Sequence, residues 1–473
     1  MATLPVPLFE AVQKGVDQVE LNQEGYQLVD GYRTLKGGTT ARFGSKSLFS
    51  ISQATGFGVD GLFYWAEKDC VIAVAAGEIF KLTYPSETPI VTSLTNGTPL
   101  LQANKPVTFT TDATNIYIAN GGKIVATTES GTPAYLTDPD APITTSHVDY
   151  LDGYILAIDG SNRFFWSEAN SGSAWSALNF ASQSGSPDLL VALKVYQREI
   201  YLFGQKTIEV WENDGSTPFA RIPGGFIQVG CSAPNAIISD ENSLYWLDEN
   251  RRLVKFTGKT VERLSTKYDR EFQSLSSVSD GVAFKVCFDG YVFFVFTFKA
   301  ANRTLVYNET TDDWCDFGKW DASKAQYDRW MGLSYVYAEG WGKHLVGRSN
   351  TSVIAELGRD YHTDDGDLIR LCRTTGHIDF GSLQTKRTNE FRCRAKRGDG
   401  LSARTPKVMI RYKLDGRDWS NFKEVSLGNI GEYWHIIRDT RRTIFRTKQY
   451  EFSATDAVGI VFGGAEEDVE VLR

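Results

Sequence analysis

The stretch from Glu199 to Trp211, EIYLFGQKTIEVW, sets an apolar strand, a short polar turn and a second aromatic-bearing strand in immediate succession. The same template recurs along the chain. It reads CVIAVAAGEIFKL from Cys70, NIYIANGGKIVAT from Asn115, YILAIDGSNRFFW from Tyr154 and SLYWLDENRRLVKF from Ser243. Two further copies are YVFFVFTFKAANRTLVY from Tyr291 and HLVGRSNTSVIAEL from His344. Equivalent positions Val71, Ile116, Tyr154, Ile200, Leu244, Tyr291 and Leu345 are separated by 45, 38, 46, 44, 47 and 54 residues. A strand-rich unit of ~40–50 residues is the size of a propeller blade, four antiparallel strands about a central channel. The copies predict an all-β chain with a β-propeller of six or seven blades over residues 55–360.

The runs themselves favour this architecture. Tyr291-Val292-Phe293-Phe294-Val295-Phe296 is apolar at every position, as in strands covered on both faces. A single blade cannot bury both its faces, whereas radial stacking buries them and leaves only short edges. Two or three consecutive β-sandwiches remain the competing architecture. Within Thr266–Ser279 the run YDREFQSLSSV breaks the strand pattern and reads as a short helix on an insertion.

Composition agrees with strands and turns. Among 473 residues there are 43 Gly, 28 Phe, 21 Tyr and 11 Trp but only 3 Met and 5 His. Aromatic residues suit pleated surfaces and glycines suit tight turns. A hydrophobic fraction of 42% excludes a disordered chain. No apolar run approaches the ~20 residues of a helical membrane span. The segment Met1-Ala2-Thr3-Leu4-Pro5 lacks the basic and apolar regions of a secretory signal, so synthesis in a cytosol is expected.

The ends differ from the middle. Residues 1–54, with Gly25, Gly31, Gly37 and Gly38, read as an extended arm that packs partly on the propeller and leads into the first blade. Polar, turn-rich residues 359–367 mark a boundary, and residues 361–473 read as a small antiparallel β-sandwich-like domain. Strands are expected at Glu390–Ala395, Lys407–Tyr412, Tyr433–Ile437, Gln449–Ser453 and Val458–Phe462. Asp415-Gly416 makes a hairpin turn, with Trp419 packing beneath it in the manner of an Asp-box.

Charge separates these parts. Residues 368–450 carry 19 Lys+Arg and 8 Asp+Glu, a net of +11; since the whole chain is −8, the remainder is −19. In a strand, alternate residues share a face, so Arg392, Arg394 and Lys396 form one exposed stripe while Phe391, Cys393 and Ala395 point inward. With Arg438, Arg441 and Arg442 this stripe is the candidate interface. Basic groups interleaved with Phe391, Trp434 and Phe445 are also what a single-strand binder uses to grip phosphates and stack bases. The acidic remainder favours a protein surface as the partner instead.

Catalytic chemistry is poorly signalled. Cys70, Cys231, Cys287, Cys315, Cys372 and Cys393 include no Cys-x-x-Cys pair, and His147, His344, His362, His377 and His435 are isolated. Asp138 with Asp140, and Asp312 with Asp313, are carboxylate pairs of a kind glycosidases use. Asp364-Asp365-Gly366-Asp367 gathers carboxylates near a turn but lacks the alternating ligands and distal Glu of a calcium loop, and reads as a solvated linker. No cofactor, metal site or catalytic residue is expected.

Two stretches resemble the packaged-DNA stabilisation proteins, the tail hub or nozzle proteins of short-tailed bacteriophages. One runs from Gly31 to Thr40. The other is Arg411-Tyr412-Lys413-Leu414-Asp415-Gly416-Arg417-Asp418-Trp419-Ser420, followed by Leu427-Gly428, Gly431-Glu432-Tyr433 and Arg441-Arg442. The resemblance implies a non-enzymatic virion protein forming a ring, typically of six copies, below the portal–adaptor complex. It implies partners in that adaptor, in tail fibres or spikes, and in DNA passing without sequence recognition. An acidic wall would let DNA slide. Two other readings stay open: a propeller glycoside hydrolase acting on host surface glycans, and a glycan- or protein-binding propeller of a fibre or spike.

Overall fold

The computed structural model describes residues 2–14, 25–183, 185–186, 188–215, 218–397, 405–429 and 433–472. Seven antiparallel blades of four strands follow one another around a central axis, five as separate four-stranded sheets and two as parts of larger sheets. The second and third strands of each are the hairpins of the sequence repeat, as in Cys70–Ala75 with Glu78–Thr83 and Glu199–Gly204 with Ile208–Asn213. These middle strands are mostly buried, because a neighbouring blade covers each face, while Arg163–Glu168, Lys343–Arg348 and Val353–Gly358 keep partly exposed positions. Ile72 and Val74 of blade one pack with Ile116 and Ile118 of blade two in one apolar cluster. Phe203 and Trp246 do the same between blades four and five, their rings 5.5 Å apart.

The first strands line the axis. Residues from Val59–Trp65, Thr108–Thr111, His147–Leu151, Leu190–Tyr196, Val282–Phe288 and Gly332–Ala338, together with Pro234, Asn235 and Ile237 of the fifth blade, surround a cavity of about 250 Å³. Blades one to five close within themselves. Blade seven does not: its strands Gly332–Ala338, Lys343–Arg348 and Val353–Gly358 receive their fourth from Gly44–Ser50, paired from Val353↔Ser50 to Gly358↔Gly44. Gly44 is required there, since a Cβ would lie 2.3 Å from the Tyr361 carbonyl oxygen.

Blade six continues outward. Its last strand, Asp313–Asp321, meets Gly25–Val29 in parallel at Val29↔Asp316. That strand in turn pairs with Leu371–Thr375, which leads through Lys448–Ala454 and Lys407–Leu414 to Lys423–Ser426. A second sheet, Gly31–Arg33, Thr39–Ala41, Ile460–Val471, Lys386–Arg397 and Trp434–Asp439, faces it. Phe391 sits 4.8 Å from Tyr450 and 5.5 Å from Phe452, and the shared core includes Cys393, Ala395, Ile437, Val408 and Ile410. The C-terminal sandwich thus shares a sheet with the propeller.

Residues 1–54, expected as an arm, supply strands to both parts. Ala2–Val6 and Thr39–Ala41 pair with Ile460–Val471, Gly25–Val29 joins the seam, and Gly44–Ser50 closes the ring. Arg42 organises this junction. Its Nε donates to Asp30 Oδ1 at 2.7 Å and its guanidinium to Asp364 at 2.5 Å and the Phe43 and Gly318 carbonyls, between the rings of Phe317 and Trp330. Burial pushes the Asp30 carboxyl up to about 6 against the opposing pull of Arg42. The acidic segment 364–367, read as a solvated linker, is a set of anchors: Asp364 to Arg42, Asp365 to Arg348 at 3.2 Å, Asp367 to Lys319 at 2.5 Å. The helix is short, Asp269–Ser274.

Candidate interface on the C-terminal sheet

The strand Lys386–Arg397 is flanked by Ile460–Val471 on one side and Trp434–Asp439 on the other. Its alternation is that of a half-buried strand: Phe391, Cys393 and Ala395 are buried, while Arg392 is partly exposed and Arg394 and Lys396 are exposed. Register places Arg392 beside Arg438, Arg394 beside Ile436 and Lys396 beside Trp434.

The stripe is not uniform. At one end, Ile460–Val471 presents Glu466, Asp468 and Glu470. Arg392 pairs with Asp468 and Glu466, and Arg387 with Glu470 at 2.6 Å. Asp468 is held below the usual carboxylate range first by the Thr3 hydroxyl and then by Arg392. At the other end, Arg394 and Lys396 have no hydrogen-bonded or ionic side-chain partner among the described residues, and Arg438 has only Glu390 at 3.8 Å. Apolar groups join them: Trp434 is 75% exposed, Tyr433 62% and Ile436 49%. The side chain of Arg397 and residues Gly431 and Glu432 lie outside the described residues.

Arg441 belongs elsewhere. Its guanidinium holds Asp439 through bonds of 2.6 and 2.8 Å, reaches the Ile410 carbonyl and covers the Tyr412 ring at 4.6 Å. Burial raises Asp439, but Arg441 and Lys423 outweigh it and keep the carboxyl low. Arg442 is exposed on the turn beyond. Phe391 and Phe445 are core residues, 1% exposed each, so the stacking platform for bases is reduced to Trp434 and Tyr433. The Asp415-Gly416 turn has both residues at positive φ, 48° and 74°. Asp415 Oδ1 accepts the amides of Arg446 and Thr447, so the carboxylate ties this hairpin to the next one. Trp419 lies under the Arg411 guanidinium at 4.9 Å.

The carboxylate pairs do local work. Asp138 accepts the amides of Asp140 and Trp175. Asp312 takes the Tyr307 hydroxyl, and Asp313 the amides of Val12 and Trp314. In the axial cavity, Asp149 accepts the Val195 amide and lies 3.5 Å from Lys194, and burial lowers His147 to about 4, leaving it neutral at pH 7. Among the described residues no group of three or more His, Cys, Asp or Glu is placed to hold a metal.

No curated protein matches the chain. Among solved structures, the WD40 β-propeller domain of Doa1 is 11% identical with a TM-score of 0.43, covering 67% of this chain and 97% of its own. The computationally designed Ika8 protein is 13% identical with a TM-score of 0.37, covering 66% and 100%. A family model described as Bacteriophage P22 Gp10, beta-propeller, matches residues 81–362, from the third strand of blade one to just past blade seven. That span is more than half the chain and stops short of the basic sheet. The chain therefore belongs to the phage stabilisation family of Gp10-type β-propellers, structural proteins of the phage.

Proposed function

We propose that this protein is a subunit of a short phage tail, present in the virion, that assembles with further copies into a ring below the portal–adaptor complex. The ring, of six copies, extends the DNA channel, retains the packaged genome and offers attachment surfaces to fibres or spikes. Membership of the Gp10 family carries the reading. The charge division supports it: an acidic wall leaves DNA free to slide, whereas a basic wall would hold it through many phosphate contacts. The alternative of glycoside hydrolysis draws no support from Asp138, Asp312 and Asp313, whose carboxylates accept local amides and a tyrosine hydroxyl, with Asp140 donating its amide to Asp138.

A reconstruction of the assembled particle tests this. The expected result is density for the propeller as a ring on the tail axis with carboxylates toward the lumen. Absence from the particle, or a lumen lined by Lys and Arg, overturns it.

A further inference from the structure

Antiparallel blades sort their turns by face. Turns joining strands one to two and three to four lie on one face of the propeller, and those joining two to three lie on the other. The acid excess is concentrated on the first face. Glu67, Glu87, Glu168, Glu212, Glu241 and Glu339, drawn from blades one, three, four, five and seven, are exposed there with no ion-pair partner among the described residues. Other carboxylates of this face are already matched, Glu129 by Lys81 and Asp152 by Arg198. Exposed cations without an ion-pair partner among the described residues there include Lys68 and Lys259. The opposite face exposes Lys105, Lys123 and Lys206, with fewer exposed carboxylates, Asp140 and Glu249 among them.

We infer that the acidic turn face receives the Arg394–Lys396–Arg438 patch of a second copy of this chain. Both surfaces carry exposed charge without an ion-pair partner among the described residues, Arg438 excepted, which lies 3.8 Å from Glu390. The patch borders the acidic face across a groove lined by Lys396, Tyr433, Asp289, Arg359 and Asp360, where Asp289 is taken by Arg359 at 3.2 Å and Asp360 is exposed. Trp434 and Ile436 supply the apolar centre that charge alone lacks, since aromatic residues ringed by polar ones carry most binding energy in interfaces. Joining unlike surfaces leaves one of each free on every pair, so the contact propagates to a ring or a fibre. The inference rests on the ring reading above and adds which surfaces mate.

The test uses the full chain in sedimentation velocity at low and high salt, with thermal melts to establish folding. Three variants are compared: R394E/K396E/R438E, E67K/E87K/E339K and E168K/E212K/E241K. The wild type is expected to self-associate at low salt and to dissociate as salt rises. The basic-patch reversal and at least one acidic reversal weaken association by about tenfold or more. Mixing those two variants restores it, because the new acidic patch meets a new basic face. Should a reversal unfold the chain, R394Q/K396Q/R438Q takes its place, with the same loss expected. Association indifferent to salt and to every variant overturns the inference while leaving the ring reading standing. A wild type monomeric at all concentrations overturns the inference, and absence from the particle would overturn the ring reading.

Discussion

Blades one to five and blades six and seven are built from the same hairpin but solve the problem of their outer edge differently. The first five find four strands in consecutive sequence. Blade seven takes its fourth strand from Gly44–Ser50, and blade six passes its last strand on to Gly25–Val29 and the C-terminal sandwich. A locally closed blade depends on its neighbours for packing alone, whereas blades six and seven depend on chain from the far end as well. Perturbations should therefore cost most where distant segments meet.

The largest expected effect is at Arg42. Arg42→Ala leaves Asp30 and Asp364 uncompensated inside the junction, and loss of one member of a buried ion pair costs about 3–5 kcal/mol. Urea unfolding measures it; a loss below about 1 kcal/mol would mean that the junction contributes little. Next is Phe49→Ala in the closing strand, where a 2%-exposed ring packs near Tyr84 and Trp341, at about 3–4 kcal/mol. Protease cleavage near residues 40–55 should rise in this variant before the other blades are cut.

A pH effect comes from the axis. The folded-state value of His147, about 4, lies below its ordinary 6.5, so below pH 6.5 the unfolded chain takes up a proton that the folded chain refuses. Stability from this residue is lost as pH falls from 6.5 to 4, by about 3 kcal/mol in total. Asp30, raised to about 6, acts oppositely in the same window. The informative quantity is thus the difference between wild type and His147→Asn, which should shrink as pH falls; a constant difference would exclude the assignment. Smaller still, Asp415→Ala removes the one carboxylate oxygen that accepts two amides on an exposed turn, at about 1 kcal/mol. Arg394→Gln should alter stability by less than about 0.5 kcal/mol, since no side chain among the described residues holds it; a larger loss would argue against a free interface residue.

The same comparison explains what could be read from the amino acids. The second and third strands are apolar on both faces, so each blade announces itself by hairpins such as CVIAVAAGEIFKL. First strands line a partly polar cavity and fourth strands meet solvent, as with His147–Leu151 and Ser171–Ser182, so their patterns are mixed. Gly44–Ser50 reads GSKSLFS and gave no sign of its partner, because pairing with residues 353–358 is written in no local period. On the basic sheet, alternation was enough to separate Arg392, Arg394 and Lys396 from Phe391, Cys393 and Ala395. Sequence did not distinguish Arg441, fixed by Asp439, from Arg394, which has no side-chain partner among the described residues. The neutralising carboxylates of Ile460–Val471 lie about 75 residues from the stripe they serve.

The closing strands also set a schedule for synthesis. Gly44–Ser50 leaves the ribosome early, and its partner Val353–Gly358 follows roughly 300 residues later, about 15–60 s at ~5–20 residues per second. Ala2–Val6 waits longer still, for Ile460–Val471. Throughout that interval the nascent chain carries unsatisfied strand edges that invite chaperones or mispairing. A chain interrupted before Ile460 retains those edges permanently, so the fold itself distinguishes finished copies from incomplete ones before any of them meets another.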